Sequence, residues 1–234
     1  MTSNLVFLLD VDNTLLDNDR IIADLRLQLE HAFGGAGSDR FWAIFEALRG
    51  KLGYADYLGA LQRLRADVAM HGSGEQRLLS MSGFLIDYPF ADRLYARALD
   101  VVARLGKLGL TVILSDGDVV FQPHKVRRSG LWDAVQGRVL IFVHKEQMLG
   151  AVQSHFPAHR YVMVDDKLRV LSAMKGVLGD RLATVFPRQG HYANDPALIA
   201  RYPGADISVD RISDLLDIDI DFAPGPGAAT PAKP

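Results

Sequence analysis

The chain has no cysteine among its 234 residues, which excludes disulfides, thiolate metal sites and cysteine nucleophiles. It has no apolar run approaching a membrane span. Its first residues lack a basic segment followed by a long apolar stretch and a cleavage site, so a cytoplasmic protein is expected. Charge of one sign is also lacking. The 26 Lys and Arg stand against 28 Asp and Glu, a formal net charge of -2, giving no bulk attraction to nucleic acid or an anionic membrane. Neither is an expected partner. There is no internal repeat and no glycine-rich phosphate loop followed by Lys-Ser or Lys-Thr, and Gly72-Ser-Gly74 lacks the preceding strand of a dinucleotide fingerprint. The densest basic run, Lys125-Val-Arg-Arg128, reads as a solvated helix face.

Apolar residues make up 49% of the chain, enough for a substantial core in one domain, or in a domain carrying a large insertion. Leu5-Val-Phe-Leu-Leu9 reads as a buried parallel strand, and similar runs recur at 110–114, 138–142, 161–164 and 182–186, with a weaker one at 207–209. Helix-like segments fill the later gaps at 91–107, 119–129, 146–154 and 167–178. This alternation predicts a mostly parallel sheet covered on both faces, with right-handed crossovers. The gap between the first two strands is too long for one crossover helix. Segments 19–33, 39–48, 54–70 and 75–86 are helix-compatible and separated by glycines, so residues 18 to 88 are expected to form a helical cap domain. Pro89 marks the return to a core built from 1–17 and 89–222. The proline- and glycine-rich tail from Ala223 to Pro234 cannot bury a core and is expected to be disordered. Phe33, Phe41, Trp42, Phe45, Tyr54 and Tyr57 are expected to form the core of the insertion.

The chemistry is expected where the first strand ends, at Asp10-Val-Asp12-Asn-Thr14. Crevices of open α/β sheets lie beyond the carboxyl ends of strands, and residues two apart in an extended segment share a face. One carboxylate can then attack a substrate while the other handles a proton. The second strand ends at Ser115-Asp116-Gly117-Asp118, a hydroxyl and turn amides able to bind an anion, or an ordinary helix cap. Lys145 follows the third strand, where its charge can neutralise phosphate oxygens. Lys125 competes for that role, with a surface or ion-pairing position favoured. Asp165 and Asp166 follow the fourth strand. Adjacent acids beside Asp10 repel unless solvated, protonated or bound to a hard cation, and Mg2+ fits best because it commonly uses one or two carboxylates, with water and substrate phosphate. His155 and His159 have zinc-like spacing, but Pro157 between them breaks the helix that spacing needs, so no zinc site is expected. His124, His144 and His191 read as turn or surface residues, with His144 nearest the crevice.

Taken in order, the Asp10-to-Thr14 motif, Ser115, Lys145 and the Asp165-Asp166 pair resemble the haloacid dehalogenase superfamily, in its phosphatase-type majority. The resemblance spans about residues 4 to 190. It implies a three-layer Rossmann-like α/β core with an inserted α-helical cap and a Mg2+-dependent phosphomonoester hydrolase acting on a small phosphorylated metabolite. By resemblance, Asp10 is the nucleophile that forms an aspartyl-phosphate and Asp12 is the general acid/base. Ser115 and Lys145 bind the transferring phosphoryl group, with Thr14, Asp116 and Gly117 on the substrate side. Asp10, the backbone carbonyl of Asp12, Asp165 and Asp166 organise Mg2+, with Asp166 the direct ligand and Asp165 supporting it. Two departures stand out: Asp116 replaces a frequent Asn, and Arg169 and Val170 fall where a farther acid is often found. A phosphomutase, a dehalogenase or a noncatalytic phosphate-binding protein are the alternatives, and the second motif acid, Asp12, speaks against the dehalogenase. Nothing in the sequence identifies the substrate or the oligomeric state.

Overall fold

The computed structural model describes residues 3–68 and 74–218; the expected disordered tail, the end of the segment expected as a helix to Met70, and Gly72 and Ser73 lie outside the described residues. Six strands form one parallel sheet in the order β3-β2-β1-β4-β5-β6. They are β1 (Ser3–Leu9), β2 (Leu110–Asp116), β3 (Val139–Phe142), β4 (Ala158–Val164), β5 (Leu182–Pro187) and β6 (Ile207–Val209). The expected runs all form strands, because alternate residues of each are buried on opposite faces. In β1, Phe7 and Leu9 enter one apolar cluster while Val6 and Leu8 enter the other. β1 lies between β2 and β4, so the three strand ends that carry acids and the motif serine adjoin one another.

The insertion is helical: α1 (Asn18–Leu52), α2 (Tyr57–Val68) and α3 (Gly74–Asp87). Two separate helices were expected across 19–48. The structure instead breaks α1 at one residue, Gly34, whose φ of 72° and ψ of 175° leave the helical region. Glycine alone adopts this backbone without strain. A straight helix would place Arg26 and Trp42 about 24 Å apart, yet the Arg26 guanidinium lies 4.8 Å from the Trp42 ring centre. The two halves are therefore folded back on each other. Asp17 caps the first half, its carboxylate accepting from the Arg20 N–H at 2.9 Å.

The two connections to the core run side by side. Asp17 N–H donates to Arg93 O, Tyr95 N–H donates to Leu15 O, and Leu16 pairs antiparallel with Leu94. This pairing corrects the expected 91–107 helix, which splits into a short 3-10 turn at Phe90–Arg93 and α4 (Ala98–Leu108). The core continues through α5 (Phe121–Arg128), the single turn α6 (Leu131–Ala134), α7 (Leu149–His155), α8 (Leu168–Leu178), and the short α9 (Gly190–Ala193) and α10 (Pro196–Ile199). Among the described residues, no helix is long and apolar enough to cross a membrane.

Candidate active site

Asp10 leaves β1 with its N–H bonded to Val164 O at 3.0 Å, so the first strand end is fixed to the fourth. The chain then turns tightly. The N–H groups of Thr14, Leu15 and Leu16 all point to Val11 O, and Asn13 takes a left-handed φ of 61°, which an Asx residue tolerates. The turn brings Thr14 Oγ1 back to donate to Asp10 Oδ2 at 3.1 Å while accepting from the Asp166 N–H at 3.0 Å. Thr14 therefore lies behind the carboxylates, joining the first and fourth strand ends; it does not line the cavity.

Lys145 is completely buried. Its ammonium donates to Asp10 Oδ1 and to Leu114 O, and lies 2.7 Å from Asp165 Oδ2. The lysine heads a short 3-10 turn, Lys145–Gln147, and its own N–H donates to Asp116 Oδ1 at 2.7 Å. Asp116 lines the cavity but spends one oxygen on that placement of Lys145, which gives the departure from the family pattern a structural role. Burial alone would raise the Asp10 carboxyl, but the charges of Lys145 and Lys167 and the hydrogen bonds from Lys145 and Thr14 outweigh it. Asp10 is thus held below its ordinary pKa, as an available carboxylate. Burial disfavours charge on Lys145 too, yet Asp10, Asp165 and Asp116 hold it above its ordinary value.

Asp10, Asp165 and Asp166 can each present an oxygen within 4.8 Å of the others. Asp165 Oδ1 accepts from the Lys167 N–H at 2.8 Å. Both oxygens of Asp166 are buried without a hydrogen bond, and the Lys167 ammonium stands 3.8 Å away. Burial, and the charges of Asp165 and Asp10, push the Asp166 carboxyl well up despite Lys167. Burial and Asp10 likewise raise Asp165 against Lys145. Buried acceptors that meet no donor fit a hard cation, so the donor set suits Mg2+.

Ser115, at the end of β2, is buried and accepts from Gln122 Nε2 at 2.9 Å. Gln122 also donates to Asp12 Oδ2 at 3.2 Å. Asp12 itself is not with the three buried acids. It lines a cavity of about 520 Å³ between the strand ends and the insertion, together with Asp116, Gly117 and, from the insertion, Arg26, Trp42 and Arg49. The expected solvated face at 125–128 is corrected here: Arg127 and Arg128 are exposed, but Lys125 is buried and bonded to Asp12. The aromatics are divided. Phe41, Phe45 and Tyr57 are buried as expected, while Trp42, Phe45, Tyr54 and Tyr57 also face the cavity. His144 lines the cavity as expected; His191 lines it too, with Nδ1 2.6 Å from Asp19 Oδ1. Gln122, Lys167 and Tyr192 are among the cavity residues that the motifs did not point to, and Lys125, weighed against Lys145, takes the ion-pairing position. The only signal for Gln122 was its position three residues before Lys125 on the helix after Ser115.

A parallel six-stranded α/β core with an aspartate at the end of its first strand, a lysine after the third and two acids after the fourth defines a hydrolase of the haloacid dehalogenase type. The chain belongs to the haloacid dehalogenase-like hydrolases, whose family pattern matches residues 5–177. A haloacid dehalogenase-like hydrolase from Burkholderia xenovorans LB400 is 60% identical, with a TM-score of 0.85 over 92% of this chain and 96% of that one. A haloacid dehalogenase-like family hydrolase from Xanthomonas campestris is 19% identical, with a TM-score of 0.65, covering 91% and 88%. The L-2-haloacid dehalogenase from Xanthobacter autotrophicus is 18% identical, with a TM-score of 0.56, covering 92% and 97%. The latter two likenesses concern the fold alone. No curated protein matches the chain.

Proposed function

We propose that this hydrolase is a Mg2+-dependent phosphatase that removes the phosphoryl group from a small phosphorylated metabolite through an aspartyl-phosphate on Asp10. The observation that carries the reading is Asp12: a second carboxylate, two residues from a lysine-clamped aspartate, facing a cavity of about 520 Å³. A dehalogenase needs the nucleophile but has no use for an acid aimed at a phosphate leaving group. Asp10, Asp165, Asp166 and the Asp12 carbonyl would hold Mg2+, which supplies positive charge that lowers repulsion between an anionic nucleophile and an anionic substrate.

The protein side chains do the remaining work. Asp10 Oδ attacks phosphorus as the bond to the leaving oxygen breaks, and Asp12 gives that oxygen a proton. Lys145 and Ser115 hold the phosphoryl oxygens, Lys145 also keeping Asp10 ionised. Asp12, now a carboxylate, takes a proton from water; the water attacks phosphorus, and phosphate leaves with Asp10 restored. The cavity suits a small organic leaving group, and the helices of the insertion serve as the cap that excludes bulk water.

A screen of sugar phosphates, phosphorylated organic acids, nucleoside monophosphates and aryl phosphates with and without Mg2+ tests the reading, with halide release from 2-chloropropionate as a parallel arm. Phosphate release that requires the cation is expected. Halide release without phosphate release would replace the phosphatase reading with a dehalogenase one.

A further inference from the structure

Lys125 makes contacts that neither metal chemistry nor phosphate binding requires. Its side chain is 2% exposed, and Nζ lies 2.8 and 3.0 Å from the two Asp12 oxygens and 3.1 Å from Asn18 Oδ1. An ammonium has three donors, and these three acceptors take them all. Immobilising a long side chain and desolvating its charge are both costly, so this placement is held by its partners and by little else. Gln122 stands three residues earlier on the same face of α5 and also donates to Asp12 Oδ2, while reaching Ser115 as well. One helix thus orients the Asp12 carboxylate and connects it to the Ser115 hydroxyl.

The same lysine reaches the insertion. Asn18 is the first residue of α1, directly after the linker, and it lines the cavity together with the buried Tyr57 of α2. Tyr57 packs in turn on Phe121, the first residue of α5, with ring centres 5.7 Å apart. Two contacts thus join α5 to the insertion, one from Lys125 to Asn18 and one from Phe121 to Tyr57.

We infer that Lys125 is a positioning residue that fixes the Asp12 carboxylate for proton transfer and ties that placement to the cap through Asn18. The inference rests on the acid/base reading of Asp12. When the cap swings about its paired linkers, Asn18 Oδ1 leaves the ammonium and the bridge between Asp12 and the cap opens. Asp12 is then fully oriented only with the cap closed over substrate, which couples acid/base function to exclusion of water.

Two aryl phosphates separate this role from mere support of the fold. Phenyl phosphate needs acid help to expel phenoxide; para-nitrophenyl phosphate needs little. Lys125→Met is expected to lower kcat for phenyl phosphate on the order of 10²-fold, with a much smaller loss for para-nitrophenyl phosphate and little change in KM. Asn18→Ala should show the same leaving-group bias at smaller size. Lys125→Arg should recover part of the lost rate. The Lys125→Met, Asp12→Asn double variant should be no slower than Asp12→Asn alone, because both act on one proton transfer. Equal losses with both substrates, or losses that multiply in the double variant, would overturn the inference.

Proton–nitrogen NMR gives a readout independent of turnover and of whether Lys125→Met folds. The Lys125 ammonium, identified by its disappearance in Lys125→Arg, should exchange slowly and shift in both Asp12→Asn and Asn18→Ala. If no aryl phosphate is hydrolysed, the phosphatase reading fails, while a signal moved by both variants still supports the bridge. A signal indifferent to Asn18→Ala, or an ammonium too fast-exchanging to observe, overturns it.

Discussion

At the scale of single residues, the two motif aspartates sit in different surroundings and are expected to fail differently. Asp10 is buried against Lys145, whereas the Asp12 side chain is 25% exposed and faces the cavity. Asp10→Asn should abolish turnover of every phosphate ester. Asp12→Asn should cost about 10²–10⁴-fold with a poor leaving group and less with an activated one, as steady-state rates on the two aryl phosphates will show. Asp166 makes a second, thermodynamic case. Its carboxyl is pushed up by burial and by neighbouring acids, so it binds a proton more tightly than an ordinary aspartate. Mg2+ and a proton compete for that carboxylate, so binding should strengthen as pH rises, which calorimetry across a pH series will show. Asp166→Asn removes a buried charge that meets no hydrogen bond. The metal-free variant should melt a few degrees higher, about 1 kcal/mol more stable, with Mg2+ affinity strongly reduced. A lower melting temperature with unchanged affinity would take Asp166 out of the cation site. The candidate residues were legible because each follows an apolar strand, a pattern visible along the chain. An ion-pairing Lys125 was legible too, but its burial and its partner were not, because they depend on an acid 113 positions away, which helix periodicity does not show.

At the scale of elements, a side-chain cluster ties the insertion to one of its two linkers. Asp24 of α1, Tyr88 and Arg93 form one cluster: the Tyr88 hydroxyl donates to Asp24 Oδ2 at 2.5 Å, and Arg93 reaches the same oxygen at 2.8 Å and Tyr88 at 2.7 Å. Burial would raise the Asp24 carboxyl, but the Tyr88 and Arg93 hydrogen bonds and the Arg93 charge outweigh it and hold it below the ordinary value. A depressed carboxyl contributes stability that is present above its unfolded pKa, near 4, and lost as pH falls through the lower folded value. Asp24→Asn should therefore destabilise the protein at neutral pH and flatten its stability profile below about pH 4, measured by urea melts across that range. An unchanged profile would deny the cluster a part in holding the linker. Gly53 ends α1 at φ 80°, and a Cβ there would lie 2.9 Å from His144 Nε2. Gly53→Ala should cost about 1–2 kcal/mol in thermal melts, since both backbone and contact oppose it. Strand positions were readable to within a few residues because both faces are buried. The glycines from Gly34 to Gly37 read as a gap between two helices, since a single non-helical residue between two apolar stripes looks the same in sequence as a longer turn.

At the scale of the molecule, the insertion closes one side of the cavity and touches the core at several separated points. Arg49 donates to the Tyr192 hydroxyl at 2.8 Å, His191 meets Asp19, and His124 Nε2 lies 2.7 Å from Ile86 O. These contacts are exposed and polar, and such contacts contribute little each; they flank the buried packing of Tyr57 on Phe121. Hydrogen exchange at Leu15–Asn18 and Asp87–Ala91 should slow when orthovanadate and Mg2+ are added together; exchange indifferent to both would contradict a closing cap. The gap of about 100 residues between the first two strands was enough to reveal an inserted layer, but which side chains face its cavity depended on how α1 folds back, and so lay beyond the motifs. The central claim is that Asp10 carries the phosphoryl group. The most direct test is to mix Asp12→Asn protein with Mg2+ and para-nitrophenyl phosphate, quench, reduce with borohydride and locate the resulting alcohol by mass spectrometry. The account predicts reduction at residue 10 alone, and none in Asp10→Asn; a reduced acid elsewhere, or a phosphorylated Asp10→Asn protein, would contradict it.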